Sequence, residues 1–575
     1  MFIKRLSITT PTKSIRDIEF KTGLNLIIDN TPVEDAKLTG NNVGKTTVLK
    51  LVDFCLGASL NLIYTDTESK KEIYNIVKDF LIDKDVEITL VLSDNLDDPE
   101  AGQLEIRRNF LSGKRAIRQI NGEDISDKDF EYKLESQIFP NKEMKKPTFR
   151  QIISHNIRYK DESINNTLKT LHKYTSDIEY ETLYLYLLGC KFDEGAKKQT
   201  LAAKINQEKA FKDRLEKKQT KTTYEIALSL IDEEIYILNR KKVSFNLNDS
   251  IEQDLAKLDV VKYDINRTSS LISKLEIRKG LIEESKKELE QSASLIDLQQ
   301  LKILYNEVRV NIAGIQKTFE DLVAYHNNMI VEKVKFISQE LPELIERLKA
   351  SRRELALLLG QEKELTNKIA KGDSFEELEK IISELNKKHQ IKGEYESIIS
   401  QLNEIEENIS ALNAEIKDID EYLFSGDFED LLKEQVKKFN KLFSVISQEL
   451  YGEKYALTYE KVNKKEQQFY KFNAFNANMS SGKKQGEILC FDLAQILFAD
   501  EEQIPCLHFL LNDKKELMHD NQLINVAEFV RNKNTQLIIS ILKDKLPPTV
   551  LNNAHIAIEL SQKSKLFKIE EERII

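Results

Sequence analysis

Between residues 191 and 424 the chain carries almost no turn signals, and its apolar residues recur at heptad spacing. Ile398, Ile405, Leu412 and Ile419 interleave with Leu402, Ile409, Ile416 and Leu423, four heptads at a strict 3.5-residue period. Leu341, Leu348 and Leu355 run with Leu344, Leu358 and Leu365, and Leu275, Ile282 and Leu289 repeat every seven. A helix of a globular domain would be shorter and show a wider apolar face. A coiled coil is therefore expected. Its pattern lapses twice, over Val243–Asp249 and over Lys371–Ser374. Each lapse lies roughly fifty residues from its own end of the coil, so a chain turning back near 309–311 brings them level. The expectation is an intramolecular antiparallel coil with a joint partway along. Its arms would be about 95–100 residues each, or roughly 140–150 Å at 1.5 Å per residue. The turning region carries Leu304, Tyr305, Val308, Phe319, Leu322 and Tyr325. It reads equally as short capping helices or as a contact surface for a second copy.

Composition agrees. The chain has 18 glycines and 9 prolines in 575 residues, roughly 3% and 1.6% against usual values of about 7% and 5%. Charged residues make up 32% and tryptophan is absent. The net charge of −10 gives no global attraction to nucleic acid, so any such site must be a local patch. Cys55, Cys190, Cys490 and Cys506 lie far apart in apolar contexts and read as buried thiols of a reducing cytosol. There is no C-x-x-C, and the seven histidines show no ligand spacing. The chain opens on a strand-like run without a signal peptide, and no apolar stretch approaches the roughly 18 residues of a membrane span. A cytoplasmic protein with no membrane partner is expected.

The flanking segments read as mixed α/β. Before the coil, Phe2–Ile8, Ile15–Phe20, Gly23–Ile28, Val86–Leu92, Gln103–Asn109 and Ala116–Ile120 read as strands, the last ending in an Asn121-Gly122 turn. After it, Tyr455–Tyr459, Phe469–Phe475, Pro505–Asp513, Gln536–Leu542, His555–Leu560 and Leu566–Ile569 do the same. The informative stretch is Thr39-Gly40-Asn41-Asn42-Val43-Gly44-Lys45-Thr46-Thr47, set between the strand Leu24–Ile28 and a helix with Leu49, Val52 and Leu56 on one face. Strand, glycine loop, Gly-Lys-Thr and helix make a phosphate-binding loop in its proper setting. Backbone N–H groups of a loop with little side-chain bulk converge on phosphate oxygens, and the helix N-terminus adds partial positive charge. Lys45 would reach the β- and γ-phosphates of ATP and the Thr46 hydroxyl would ligate Mg²⁺. Thr39 stands where the usual spacing has glycine, so the loop entry is shaped differently.

Two further motifs lie beyond the coil. Met479-Ser480-Ser481-Gly482-Lys483 precedes a helix, and Phe509-Leu510-Leu511-Asn512-Asp513 is an apolar strand ending in a carboxylate. A phosphate loop, a coil out and back, a Ser-Ser-Gly and a strand-terminal Asp together resemble the SMC (structural maintenance of chromosomes) class of ABC-type ATPases. The resemblance covers the whole chain in architecture and four short motifs in sequence. It implies an α/β ABC-type ATPase head formed by the N- and C-terminal segments and joined by the long antiparallel coil. The segments would be 1–190 for the first half of the head, 191–291 for the first arm, 292–329 for the apex, 330–424 for the second arm and 425–575 for the second half. Asn41 falls where the class has Asn, Ser480, Ser481 and Gly482 align with its signature, Asp513 with its Walker B acid and Gln151 with its Q-loop glutamine. In this class the signature caps the γ-phosphate held by a second head, so ATP joins two copies. The run Asp53–Gly57 and the short coil look most like a bacterial subgroup that includes the SMC-like subunit of Lamassu-type antiphage defence systems. That implies a DNA-sensing ATPase partnered with an effector, a nuclease or another, and with an accessory subunit.

Two departures bear on catalysis. The class places Glu after the Walker B Asp, and here the residue is Lys514; it places His after the last core strand, and here the pair is Ser540-Ile541. A charged lysine accepts no proton from water. The nearest carboxylate, Glu516, reaches the site only if its loop curls back. The expectation is ATP and Mg²⁺ binding with slow hydrolysis.

Residues 197–221 hold a local charge excess of +6, with Lys204, Lys212, Arg214, Lys217 and Lys218 as candidate contacts to duplex phosphates. Arg107, Arg108, Lys114, Arg115 and Arg118 form a second basic run. A solvated helix face is the alternative. At the level of function the choice is between a nucleotide-switched DNA clamp controlling an effector and a nucleotide-regulated scaffold or repair ATPase with no effector nuclease.

Overall fold

The computed structural model describes residues 1–31, 43–65, 74–140, 142–243, 249–294, 334–335, 338–369, 375–464, 467–476, 484–513 and 520–572. In chain order the first part contains β1 (Phe2–Thr9), β2 (Ser14–Glu19), β3 (Gly23–Asp29), α1 (Lys45–Cys55), β4 (Glu87–Ser93), β5 (Gln103–Asn109), β6 (Arg118–Ile120), β7 (Glu123–Asp124), α2 (Phe149–Ile152), β8 (Ile157–Arg158) and α3 (Asp177–Leu187). Long helices follow: α4 (Gly195–Leu215), α5 (Lys221–Val243), α6 (Asp249–Ser294), α7 (Leu341–Ile369) and α8 (Phe375–Leu423). The last part holds α9 (Gly426–Tyr451), β9 (Tyr455–Lys464), β10 (Gln467–Asn476), α10 (Lys484–Glu501), β11 (Phe509–Asn512), α11 (Asp520–Arg531), β12 (Gln536–Leu542) and β13 (His555–Leu560).

The chain divides into two compact units, one gathering residues 1–200 with 418–575 and the other lying within 201–417. In the first, β13-β3-β12-β11-β8 form a parallel sheet, and β2-β1-β4-β5-β6-β7 an antiparallel one. β3 and β8 come from before the long helices, and β11, β12 and β13 from after them. Neither terminal segment therefore completes the sheet alone. Every residue of β3 is buried, as expected of a central parallel strand covered on both faces. β1 instead alternates toward an exposed face, the habit of an antiparallel sheet with one wet side. Asn121 and Gly122 both take positive φ between β6 and β7, the backbone an Asn-Gly hairpin turn requires.

One expected strand is absent. Leu566–Ile569 contains no strand. Its apolar side chains Leu566 and Phe567 are buried, but Leu566 packs on Gly44 and its N–H donates to the Val43 carbonyl at 3.1 Å. The apolar run packs at the start of α1 and does not extend the sheet.

The second unit departs from a straight two-stranded coil. Two antiparallel helix pairings are present among the described residues. Lys212 and Lys221 both reach Glu406, Lys392 reaches Asp232 and Tyr224 stacks edge-on against Tyr395, so α4 and α5 run antiparallel to α8. Arg352 pairs with Glu276 at 2.6 Å and Arg278 with Glu340 at 3.2 Å, so α6 runs antiparallel to α7. The second pair lies folded back along the first. Ser270 donates to the Gly393 carbonyl at 3.1 Å, Lys274 meets Glu404 at 2.7 Å and Arg214 donates to the Leu281 carbonyl at 3.0 Å. Phe211, Leu215, Leu275, Ile282, Leu344, Leu348, Leu402 and Ile405 share one apolar cluster drawn from four helices. Each fully buried side chain of this kind contributes about 1.5–3 kcal/mol, far more than the partly exposed ion pairs on the rim, at about 0–1 kcal/mol each. Nearest the lapses, Lys242 pairs with Asp259 and Lys262 with Glu362. Of the lapse residues, 244–248 and 371–374 lie outside the described residues, as does the apex from 295 to 329.

Candidate nucleotide site

α1 begins directly after Gly44, whose φ of 99° is left-handed and where a Cβ would stand 2.8 Å from the Cβ of Leu566. Only glycine fits that position without displacing Leu566. No acidic residue occupies the first turn of α1, which leaves its positive end free for an anion. Lys45 Nζ rests 3.6 Å from Oδ2 of Asp29, the last residue of β3. Asp29 Oδ1 accepts from the Thr31 hydroxyl at 2.6 Å. Thr47 follows on the same turn and is half-buried.

Asp513 follows β11 and is 7% exposed. Its Oδ2 accepts from the Thr46 hydroxyl at 2.8 Å and its Oδ1 from the Ser540 hydroxyl. Ser540 sits on β12, which lies between β3 and β11. The first turn of α1, β12 and the end of β11 thus bring a threonine, a serine and a carboxylate to one point. Hard oxygen donors at that spacing suit Mg²⁺, and Lys45 with the α1 N-terminus suits phosphate. Motif reasoning missed Asp29, and it noted Ser540 only as part of the Ser540-Ile541 departure. Both lie at or near the end of a core strand.

Behind the site, Asp53 of α1 takes Arg150 Nη1 at 2.6 Å and the Tyr159 hydroxyl at 2.5 Å. Burial pushes its carboxyl up, but Arg150, Lys160 and the two hydrogen bonds outweigh that and hold it below the usual carboxylate value. Further in, Arg158 of β8 is fully buried and forks onto Asp492 of α10 at 2.5 and 2.6 Å. His155 lies 3.4 Å from Asp492 and 3.1 Å from the Tyr184 hydroxyl, and Thr167 donates to Glu487 in the first turn of α10. The Arg158 carbonyl accepts from Asp513 N–H at 2.9 Å. One network therefore runs from the helix that follows the Ser-Ser-Gly segment to the strand-terminal acid.

Of the other expected residues, Asn41, Ser480, Ser481, Gly482, Lys514 and Glu516 lie outside the described residues. Gln151 is described, and its carboxamide closes a capping box with Thr148 and lies 3.5 Å from Glu179. It is engaged at its own helix start.

The basic run is smaller than its count. Lys198 is buried between Glu181 and Asp420, Lys212 shares Glu406 with Lys221, and Arg214 holds α6. Lys204, Lys217 and Lys218 are exposed. The second run is likewise engaged: Arg107 with Glu87, Arg115 with Asp85, Arg118 with Asp127, and buried Arg108 against the Phe54 ring.

A family described as an uncharacterised protein conserved in bacteria (DUF2326) matches residues 446–571, from the end of α9 past β13. No curated protein matches the chain. Among solved structures, an Smc head domain with a coiled coil and joint from Pyrococcus yayanosii is similar at 16% identity and a TM-score of 0.38, covering 100% of both chains. An Smc head with an extended coiled coil from Pyrococcus furiosus, bound to the C-terminal domain of ScpA, is similar at 14% identity and a TM-score of 0.36, over 96% of this chain and 92% of that one. The recombination mediator RecF with ATP is similar at 12% identity and a TM-score of 0.30, over 94% and 92%. At such scores the likeness itself decides nothing; the geometry around Asp513 carries the reading. No helix among the described residues is long and apolar enough to cross a membrane.

Proposed function

We propose that the chain is a cytoplasmic, SMC-like ABC-type ATPase that binds Mg²⁺ and ATP between Lys45, Thr46 and Asp513 and uses the nucleotide as a switch. The observation that carries this is the double grip on Asp513, by Thr46 on one oxygen and Ser540 on the other. Thr46 and Asp513 would hold the cation, Lys45 and the α1 N-terminus the phosphates. The bound cation supplies charge neutralisation for the phosphates. Lys45 has Asp29 as its counter-charge, so a phosphate competes with a carboxylate for it.

In the finer reading, two heads pair around ATP through Asn41 and Ser480–Gly482. The paired heads sense duplex DNA through Lys204, Lys217 and Lys218 and control an effector nuclease and an accessory subunit, in the manner of Lamassu-type antiphage defence. Hydrolysis is slow because Lys514 follows Asp513, leaving Glu516 as the nearest carboxylate. The sequence resemblance and the coil support this reading, and the ion pairs that engage Lys212 and Arg214 narrow the DNA-facing set. Equilibrium binding of a fluorescent ATP analogue with and without Mg²⁺ tests the central claim. Magnesium-dependent binding that disappears in Asp513→Ala supports it, and binding indifferent to both magnesium and Asp513 refutes it.

A further inference from the structure

At the opposite end of β11 from Asp513 lies a second cluster. Asp500 is the penultimate residue of α10, His508 directly precedes β11, and Cys506 is two residues earlier. One donor atom from each lies within 4.8 Å of the others, and among the described residues this is the one place where three such groups converge. Linear spacing hides it, because the aspartate comes from a helix and the other two from the strand that follows.

We propose that Asp500, Cys506 and His508 form a binding site for a zinc-like divalent cation. A thiol, an imidazole and a carboxylate are the donor types zinc takes, and three protein ligands leave one position for water. Zinc bond lengths of about 2.0–2.3 Å place tetrahedral donors roughly 3.3–3.8 Å apart, so closure from the present spacing needs side-chain shifts of about 1 Å. The side chains of Asp500 and His508 are 38% and 16% exposed, which gives an ion a way in. His508 Nε2 already faces Asp500 Oδ1 at 2.7 Å. Its Nδ1 lies 3.1 Å from the Met1 amine, which also reaches the Cys506 carbonyl at 3.3 Å. Polar groups of three segments thus meet around the thiol.

Burial pushes the Cys506 thiol up to about 12, so the group is protonated without a cation. Binding forms a metal–sulfur bond and releases the thiol proton to solvent. The bound ion would fasten the end of α10 to the start of β11, the two elements that also carry Asp492 and lead to Asp513. This site does not depend on the nucleotide reading.

The test titrates the full chain with Co²⁺ and follows thiolate-to-cobalt charge-transfer and d–d absorption. One equivalent should bind, be displaced by Zn²⁺, and raise the melting temperature by a few degrees. Cys506→Ser and His508→Gln should abolish the spectrum, Asp500→Asn should weaken binding at least roughly tenfold, and Lys45→Ala should bind as wild type. Absence of the thiolate band in wild type, or its persistence in Cys506→Ser, overturns the site. The wild-type spectrum decides the matter even if a variant fails to fold.

Discussion

Thr46 and Asp513, 467 positions apart in the chain, are joined by a 2.8 Å hydrogen bond. The bond ties the first turn of α1 to the end of β11 and sets a hydroxyl and a carboxylate at the spacing a hard cation needs. Thr46→Ala should weaken magnesium-dependent ATP binding roughly 10- to 100-fold, the value of a hydrogen bond to a charged group. Thr46→Ser should retain it. Isothermal titration with Mg·ATP checks both, and equal affinity of Thr46→Ala and wild type would remove Thr46 from the site.

Ser540, the residue before the position where the resembled class has its histidine, holds the other oxygen of Asp513. Ser540→Ala leaves a buried carboxylate oxygen without that donor, and should lower the unfolding free energy by about 1–3 kcal/mol. Ser540→Thr keeps the hydroxyl and should restore most of it. Urea denaturation of the three proteins measures the difference; a neutral alanine variant would mean that Asp513 is fixed by other groups.

The doubling back of the coil has a direct chemical test. A Cβ added to Gly393 would lie 3.8 Å from the Cβ of Ser270, within the range of about 3.5–4.5 Å that disulfides span. Ser270→Cys with Gly393→Cys, in a background lacking the native thiols, should oxidise to a bridge within one chain. Failure to bridge, or bridges only between chains, would return the coil to an extended form.

His155 is buried, and that burial is the main reason its imidazole protonates less readily than usual, despite Asp492 nearby. Folded chains therefore keep it neutral while unfolded chains take up a proton below the ordinary value of about 6.5. Its contribution to stability is whole above that pH and declines as pH falls through it, by at most about 1.4 kcal/mol per pH unit. Wild type should lose more unfolding free energy than His155→Gln between pH 7.5 and 5.5 (roughly one unit either side of that value). Parallel profiles would show that His155 does not titrate in this window. Glu181, which burial raises to about 7, works in the opposite sense but is common to both proteins.

Lys204, Lys217 and Lys218 are the exposed members of the expected DNA contacts. Reversing all three to Glu should weaken duplex binding and lower the slope of log affinity against log salt by roughly 0.9 for each phosphate that is no longer neutralised. ATP binding should be unchanged. An unaltered salt slope would leave this face merely solvated.

Much of this was open to reading along the chain. Lys45, Thr46 and Asp513 were singled out by strand, loop and helix context, and the fold joins Thr46 to Asp513. Gln536–Leu542 and His555–Leu560 are long apolar or alternating runs, and the strands form there. Leu566–Ile569 misleads because an apolar run records burial without saying what covers it. Lys198 misleads in the same way: a run of lysines records charge, and only the fold shows that one of them meets Glu181 and Asp420. The doubled coil is the hardest case. Heptads such as Leu275–Ile282 and Ile398–Ile405 satisfy the same pairings whether the coil is straight or folded. The one local trace is Ser269, Ser270, Ser273 and Gly393, small residues that let α6 approach α8.

Lys212 and Lys221 meet Glu406 beside the points where the chain enters and leaves the central helices. Those helices therefore close on themselves, and the two ends of a very long insertion emerge next to each other. A flexible loop of that length would carry a closure entropy that grows with the logarithm of its length, set against the pairing of β3 with β12. A self-folding insertion removes that burden once its own core has formed. It follows that residues 201–417 are exchangeable: a short linker in their place should still let β3, β12 and β11 assemble, with the order of synthesis no longer deciding when the split sheet can close.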